Sequence, residues 1–272
     1  MQHQLFDYLK RIQFTGQPIV DLVTLKQLQR QHLLNIPYEN LDVQLGRPLG
    51  RDPIDAFDKL VTRNRGGWCY EMNAVLGWVL EQIGFDVTYV SGGANRAVRG
   101  DSALGNHLVL LVNLEGTQWV VDAGMGDGFI EPIELKADKF QQRGFDMRLE
   151  LQEDGYWRFH NQPFGGAPSF DFTTDTADGA LLDSQCQWLQ VHEDSPFVRA
   201  LVLQIFNANG YDIQIGLMAK TVTPEGVTVR QIESIAEFEE RMANVFNLSD
   251  PDMQDLWPKL TARHVLMFPD EA

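Results

Sequence analysis

The chain has 272 residues, 44% of them hydrophobic and 22% charged, an ordinary globular balance with enough length for two or three subdomains. Its formal net charge of −16 argues against nucleic acid or an anionic membrane as partner, while leaving room for a phosphate-bearing cofactor held by a local basic patch or by backbone amides. Two cysteines, Cys69 and Cys186, are too few for a disulfide framework, and neither a signal-peptide core in residues 1–12 nor a run of about 18 apolar residues is present, so a cytoplasmic protein is expected.

The first 84 residues read as helical. Leu5, Leu9 and Ile12 share one face, and Leu25, Leu28 and His32 share another, which ends at Ile36-Pro37. Asp52 as N-cap and Pro53 in the first position open a third helix that turns Ile54, Phe57, Leu60 and Val61 inward. The link at 36–42 carries no periodicity and reads as packing. A fourth helix, with Met72, Val75, Leu76, Val79, Leu80 and Ile83 at helical spacing, starts near Cys69 and stops at Gly84.

From Phe85 the period becomes two. Strands are expected at 87–90, 107–114, 118–123, 145–151, 156–160 and 185–191, with a loop at 91–106 that holds Arg96 and Arg99, and a turn with Gly124, Gly126 and Gly128. This pattern suggests a small antiparallel barrel or strongly curved sheet. Beyond Asp194-Ser195-Pro196-Phe197 the pattern mixes. Segments 198–206 and 211–217 flank the hairpin signal Asn209-Gly210, 227–232 adds a strand, and Ser234 caps a helix with Ile235, Phe238, Met242 and Val245 inward. A short last helix is expected around 256–268.

The stretch Arg65-Gly66-Gly67-Trp68-Cys69-Tyr70-Glu71 places a thiol in the first turn of the fourth helix, where free N–H groups and the macrodipole favour a thiolate. The two glycines leave space before the sulfur, and Glu71 is expected to face away from it, toward Arg65. A lone cysteine between aromatics is equally a small buried hydrophobe, so the reading turns on whether a base and an orienting acid exist. Among six histidines, His32 reads as structural, whereas His107 opens a buried-looking strand just after a loop. If Glu115-Gly116 is a two-residue turn, Leu114 pairs with Thr117 and Asp122 faces Val109. His107 and Asp122 then become diagonal neighbours roughly 7–8 Å apart at the backbone; a three-residue turn would put them on opposite faces. Asp before Gly is also a common turn former, yet a carboxylate that follows Trp119-Val120-Val121 into a buried sheet needs a donor. Cys69, His107 and Asp122 then read as nucleophile, base and orienter, with an acyl thioester awaiting a second substrate. The Cys69 N–H and nearby glycine backbone would form the oxyanion hole. No zinc-ligand spacing, phosphate loop or dinucleotide fingerprint is present.

Those residues, with Ile36-Pro37-Tyr38-Glu39-Asn40-Leu41, His107-Leu108, Val121-Asp122-Ala123-Gly124-Met125-Gly126 and Ser195-Pro196-Phe197, together resemble the arylamine N-acetyltransferases. The resemblance implies an α+β fold in three domains: a helical one at 1–84 with Cys69, an antiparallel β-barrel at 85–192 with His107 and Asp122, and an α/β lid at 193–272, around a papain-like Cys-His-Asp core. It implies ping-pong transfer of acetyl from acetyl-CoA through Cys69 to an arylamine, N-hydroxyarylamine or arylhydrazine, with no metal. It also implies that Gly124 and Gly126 sit by the CoA arm at the site mouth, that Ser102 and Gly105 belong to a loop touching the cofactor, and that Trp68 and Met125 lie on the acceptor side. Met125 stands where an aromatic residue is common, and a thioether stacks less well on an aryl ring. A homodimer is left open. Two other readings use the same residues: a transglutaminase-like or other thiol hydrolase, and a non-catalytic protein with a buried Cys69. The short interval between Cys69 and His107 counts against a papain-like peptidase.

Overall fold

Helices dominate the N-terminal part of the computed structural model, which describes residues 2–267. α1 (Gln2–Arg11) and α2 (Leu22–Asn35), with the turn after α1, bury Tyr8, Ile12, Leu25 and Leu28 completely. Full burial of such a side chain contributes roughly 2 kcal/mol each. His32 has the structural place expected of it, bonded to the Tyr8 hydroxyl at 2.8 Å and close to Met72 Sδ at 3.4 Å. A two-residue strand, β1 (Tyr38–Glu39), and a short helix, α3 (Leu41–Leu45), follow. Asp52 caps α4 (Pro53–Phe57) by accepting the Ile54 N–H at 2.8 Å, and the helix runs on into a π-helical turn at Asp58–Thr62. Ala56, Phe57 and Leu60 face the core, whereas Ile54 points to solvent, against the expectation. α5 (Cys69–Ile83) is buried along most of its length and ends at Gly84 with φ 109°.

The next segment forms β2 (Asp86–Ala94), β3 (His107–Leu114), β4 (Thr117–Val121), β5 (Ile133–Glu134), β6 (Asp138–Gln142), β7 (Phe145–Leu151), β8 (Trp157–His160) and β9 (Ser169–Phe172), with a one-turn helix α6 (Arg96–Arg99) after β2; β5, β6 and β9 are not among the expected strands, and β2 extends to Ala94 inside the expected loop. All pairings are antiparallel, in the order β5-β4-β3-β2-β9-β8-β7-β6. β5 and β6 are the two ends of that order, yet only residues 135–137 join them. Such a link reaches roughly 14 Å, whereas eight flat strands would hold their outer members more than about 30 Å apart. The sheet therefore curls strongly. The expected barrel is an open curled sheet whose inner face buries Phe145, Met147, Leu149, Phe159 and Phe170.

The strand expected at 185–191 is a helix, α7 (Gly179–Val191). Asp178 caps it by accepting from the Ala180 and Leu181 N–H groups, and its buried residues, Leu182, Cys186 and Leu189, follow a helical spacing. The apparent alternation of 185–191 covers less than two turns of that pattern.

Ser195 and Pro196 start the short helix α8 (Pro196–Arg199), so only Val202–Phe206 of the expected 198–206 strand pairs, as β10. β11 (Tyr211–Ile215), β12 (Met218–Thr223) and β13 (Gly226–Gln231) follow, then α9 (Ile235–Asn244), capped by Ser234, and α10 (Trp257–Met267); Phe268 of the expected last helix lies outside the described residues, as does Met1. The β10–β11 hairpin has a four-residue loop, in which Asn207 Oδ1 accepts the N–H groups of Asn209 and Gly210, both at 2.9 Å. β1 is the edge of this second sheet, ordered β1-β10-β11-β12-β13, with Tyr38 opposite Gln204. Residues 38–39 are thus sewn to 203–204 beside the cleft. Among the described residues no helix is long and apolar enough to cross a membrane.

Candidate active site

Glu115 and Gly116 both have positive φ, 52° and 80°, and form a two-residue turn that pairs Leu114 with Thr117 and Leu110 with Val121. In that register His107 and Asp122 face one another, and the ring Nε2 lies 2.9 Å from Asp122 Oδ2. A carboxylate only accepts, so Nε2 carries the proton and Nδ1 is left as the basic nitrogen. Gly92 lies opposite His107 on β2, where a Cβ would stand 3.2 Å from the ring Cδ2, and Phe170 covers the ring with centroids 5.0 Å apart.

Asp122 is held by more than the histidine. Its Oδ1 accepts from Asn73 Nδ2 at 2.7 Å and from the Gly124 N–H at 2.6 Å, and its own N–H donates to Gln29 Oε1 at 3.1 Å. Asn73 also donates to the Leu108 carbonyl at 2.6 Å and accepts the Ala123 N–H at 2.8 Å. It sits one turn beyond Cys69 on α5 and is fully buried. The apolar stripe of α5 does not reveal this residue; its signal in the sequence is a lone amide one turn from the thiol on a buried helix.

Cys69 is only 3% exposed, with Sγ 3.8 Å from the Asn106 carbonyl oxygen. Burial pushes its thiol up, and hydrogen bonds from the Leu108 and Tyr70 backbones only partly oppose this. The magnitudes explain the sign. A helix terminus contributes at most about 2 kcal/mol, while full burial of a charge moves a pKa by up to 3–5 units at about 1.4 kcal/mol each. Burial therefore opposes the free-standing thiolate expected from the helix terminus alone. The Glu71 carboxylate is held by Lys59, at 2.9 and 3.0 Å, and not by Arg65, which pairs with Glu39 at 3.0 Å.

Cys69 and His107 line one cleft of about 240 Å³, together with Met125, Phe197, Gln204 and Arg99. Gly124 lies on the same wall, so close that a Cβ there would sit 2.8 Å from Cys69 Cα, and Gly126, with φ 74°, lies against Gln204. Trp68 is fully buried and meets Phe197 edge-on at 5.7 Å, so it touches the cleft through that ring. Ser102 is exposed and donates to the Arg99 carbonyl at 2.9 Å. Gly105 packs on Leu181 and its carbonyl accepts the Tyr70 hydroxyl at 2.6 Å. Of that loop, Arg99 and Asn106 line the cleft rather than Ser102 and Gly105. Among the described residues no cluster of three or more His, Cys, Asp or Glu could hold a metal ion.

The sequence profile of the N-acetyltransferase family matches residues 21–252. The chain is 35% identical over 221 residues to the arylamine N-acetyltransferase of Mycolicibacterium smegmatis, across 75% of this chain and 77% of that protein. With the arylamine N-acetyltransferase of Escherichia coli (strain K12) it shares 32% over 199 residues, 68% of each. The structure superposes on that of the M. smegmatis arylamine N-acetyltransferase with a TM-score of 0.82 and 32% identity, covering 95% of this chain and 96% of that one. It also superposes on the Mycobacterium marinum arylamine N-acetyltransferase in complex with CoA, with a TM-score of 0.84 and 25% identity over 95% and 97% of the two chains. With the profile running through most of the chain and helices plus curled antiparallel sheets shared with these enzymes, the protein belongs to the arylamine N-acetyltransferase family.

Proposed function

We propose that this enzyme carries acetyl from acetyl-CoA to an arylamine, N-hydroxyarylamine or arylhydrazine through a thioester on Cys69, in a papain-like Cys-His-Asp arrangement. Because burial disfavours a bare thiolate, the Sγ proton moves to His107 Nδ1 as the sulfur attacks, and Asp122 stabilises the imidazolium. The Cys–S bond forms to the acetyl carbon and the electron pair goes to the carbonyl oxygen. The Gly124 N–H already donates to Asp122, so the Cys69 N–H, at the open end of α5, is the donor left for the oxyanion. Collapse breaks the bond to the CoA sulfur, which leaves with the proton from His107. The amine then attacks the thioester, gives its proton to His107, and Cys69 departs and regains it. Met125 and Phe197 would face the acceptor's ring, Gly124 and Gly126 the CoA arm, and residues 193–272 would act as a lid. CoA bound to the M. marinum relative supports the donor, and two free thiols suit the cytoplasm.

The observation that carries this reading is the 2.9 Å contact of His107 with Asp122 in the cleft that also contains Cys69. Acetyl-CoA mixed with the protein alone is expected to release one CoA per chain and leave acetyl on Cys69, mapped by peptide mass; aniline should then discharge it. Continuous CoA release without any amine would assign a thioester hydrolase and overturn the proposal.

A further inference from the structure

Five residues past Asp122, the same loop buries a second carboxylate that the transfer steps do not use. Asp127 is 1% exposed and, among the described residues, has no ion-pair partner. Its hydrogen bonds come from neutral donors on two other segments. Oδ2 accepts the Gly166 N–H at 2.5 Å and Gln204 Nε2 at 2.8 Å, and Oδ1 accepts Asn161 Nδ2 at 3.1 Å. Since the carboxylate only accepts, Gln204 must turn its NH₂ group toward Asp127 and its carbonyl oxygen the other way. That oxygen, Oε1, rests against Gly126, where a Cβ would come within 2.1 Å of it. Gln204 is a wall of the cleft, and among the described residues no protein donor reaches Oε1, which is not sealed from solvent.

We propose that Gln204 Oε1 accepts an N–H of the incoming amine or hydrazine in the second half-reaction, and that Asp127 is the positioning residue that fixes the amide in this orientation. The assignment rests on the transferase reading above. The geometry fits a small acceptor: Gly124 touches Cys69 and Gly126 touches Gln204, and two residues of one loop span at most about 7 Å. One N–H given to Oε1 leaves the nitrogen lone pair free for the thioester carbon.

Burial raises the Asp127 carboxyl to about 6. The ionisable groups that face it are the phenols of Tyr38, on β1, and Tyr211, on β11, and burial keeps both neutral. Above about pH 6 the ionised carboxyl holds Gln204 one way round. Below it the protonated carboxyl can itself donate to the amide oxygen, and the amide is free to turn over. Recognition of an N–H donor therefore weakens as pH falls through about 6.

The test separates the two half-reactions of the full-length protein. Acetylation of Cys69 by acetyl-CoA is followed without acceptor; the acetyl-enzyme is then discharged by aniline or by thiophenol, which has no N–H to give. Gln204→Met is expected to lower the aniline-to-thiophenol rate ratio about tenfold, the factor for one hydrogen bond of about 1.4 kcal/mol. Asp127→Asn should lower the ratio similarly, and the wild-type aniline rate divided by the Asp127→Asn rate should fall as pH drops through about 6. Should Asp127→Asn fail to fold, Gln204→Met alone decides. Equal loss with both acceptors, or a loss confined to acetylation by acetyl-CoA, which would give Oε1 to an amide of the donor's arm, overturns the assignment. A wild type that forms no acetyl-Cys69 removes the transferase reading, and this one with it.

Discussion

Asn73 is the side chain on which the geometry of the dyad depends, because it ties α5 to β3 through Leu108 and to the residues just after β4 through Asp122 and Ala123. Asn73→Leu would leave the Leu108 carbonyl and the Ala123 N–H unpaired in a buried place, at about 1–3 kcal/mol for each such group, and would leave Asp122 Oδ1 with the Gly124 N–H as its remaining donor. The expected outcome is a lower thermal midpoint together with a ten- to hundredfold slower acetylation of Cys69 and a displaced pH profile. A destabilised variant that acetylates at the wild-type rate and pH profile would reduce Asn73 to packing. The contrast with the dyad shows what the sequence made legible at this scale. His107 and Asp122 could be paired because strand register follows from one two-residue turn, a local property. The charge state of Cys69 could not, since it depends on everything that covers the sulfur, and the partner of Glu71 could not, since Lys59 comes from a different helical turn.

Among the elements, the link at 36–42 departs furthest from its appearance in the sequence. It reads as aperiodic packing, yet it supplies β1 to the second sheet and two buried acids, Glu39 and Asp42, to a charged cluster. Lys59, on the π-helical turn, sits at 2.8 Å from Asp42, 2.9 Å from Glu71 and 3.8 Å from Glu39, all nearly inaccessible to solvent. Two residues hardly form a recognisable strand pattern, and a long-range charge cluster has no period at all. α7 resembles a strand in the sequence for a related reason: a short window samples the 3.6-residue repeat too briefly, and the decisive signal, the Asp178 cap, lies seven residues before it. Lys59→Met should lower unfolding free energy in urea by about 3–5 kcal/mol, because it leaves the buried Glu71 carboxylate without its cation beside Glu39 and Asp42, which keep Arg65. Adding Glu71→Gln, which still accepts the Trp68 N–H, should recover part of this. A loss under about 1 kcal/mol for the single variant would mean the cluster is solvated rather than sealed.

Across the whole molecule, the cleft is assembled from distant parts: Cys69 from α5, His107 from the curled sheet, Phe197 and Gln204 from the second sheet's side. What holds the last of these against the first is β1 in the second sheet, Leu41 in that sheet's core, and Asp250 between two arginines. Arg47 donates to Asp250 at 2.7 and 3.0 Å, and Arg65, itself paired with Glu39 and Asp42, reaches the same carboxylate. Hydrogen bonds from Arg47 hold the Asp250 carboxyl below its ordinary value; for Asp42, burial pushes upward but the charges of Lys59 and Arg65 prevail and hold it at about 2. Acids depressed in the folded state add stability that is complete above the ordinary carboxylate range near 4 and is lost as pH falls toward 2. Asp250→Asn is therefore expected to lower the thermal midpoint near pH 7, with the gap to the wild type narrowing as pH falls below the ordinary carboxylate range, where the wild type loses the same charge. Because the clamp joins the parts that form the cleft, the variant's Cys69 should also be alkylated faster by iodoacetamide near neutral pH. A midpoint gap that stays constant over that acid range would show that Asp250 acts by shape and hydrogen bonding alone, not as the charged tie between the two ends of the chain.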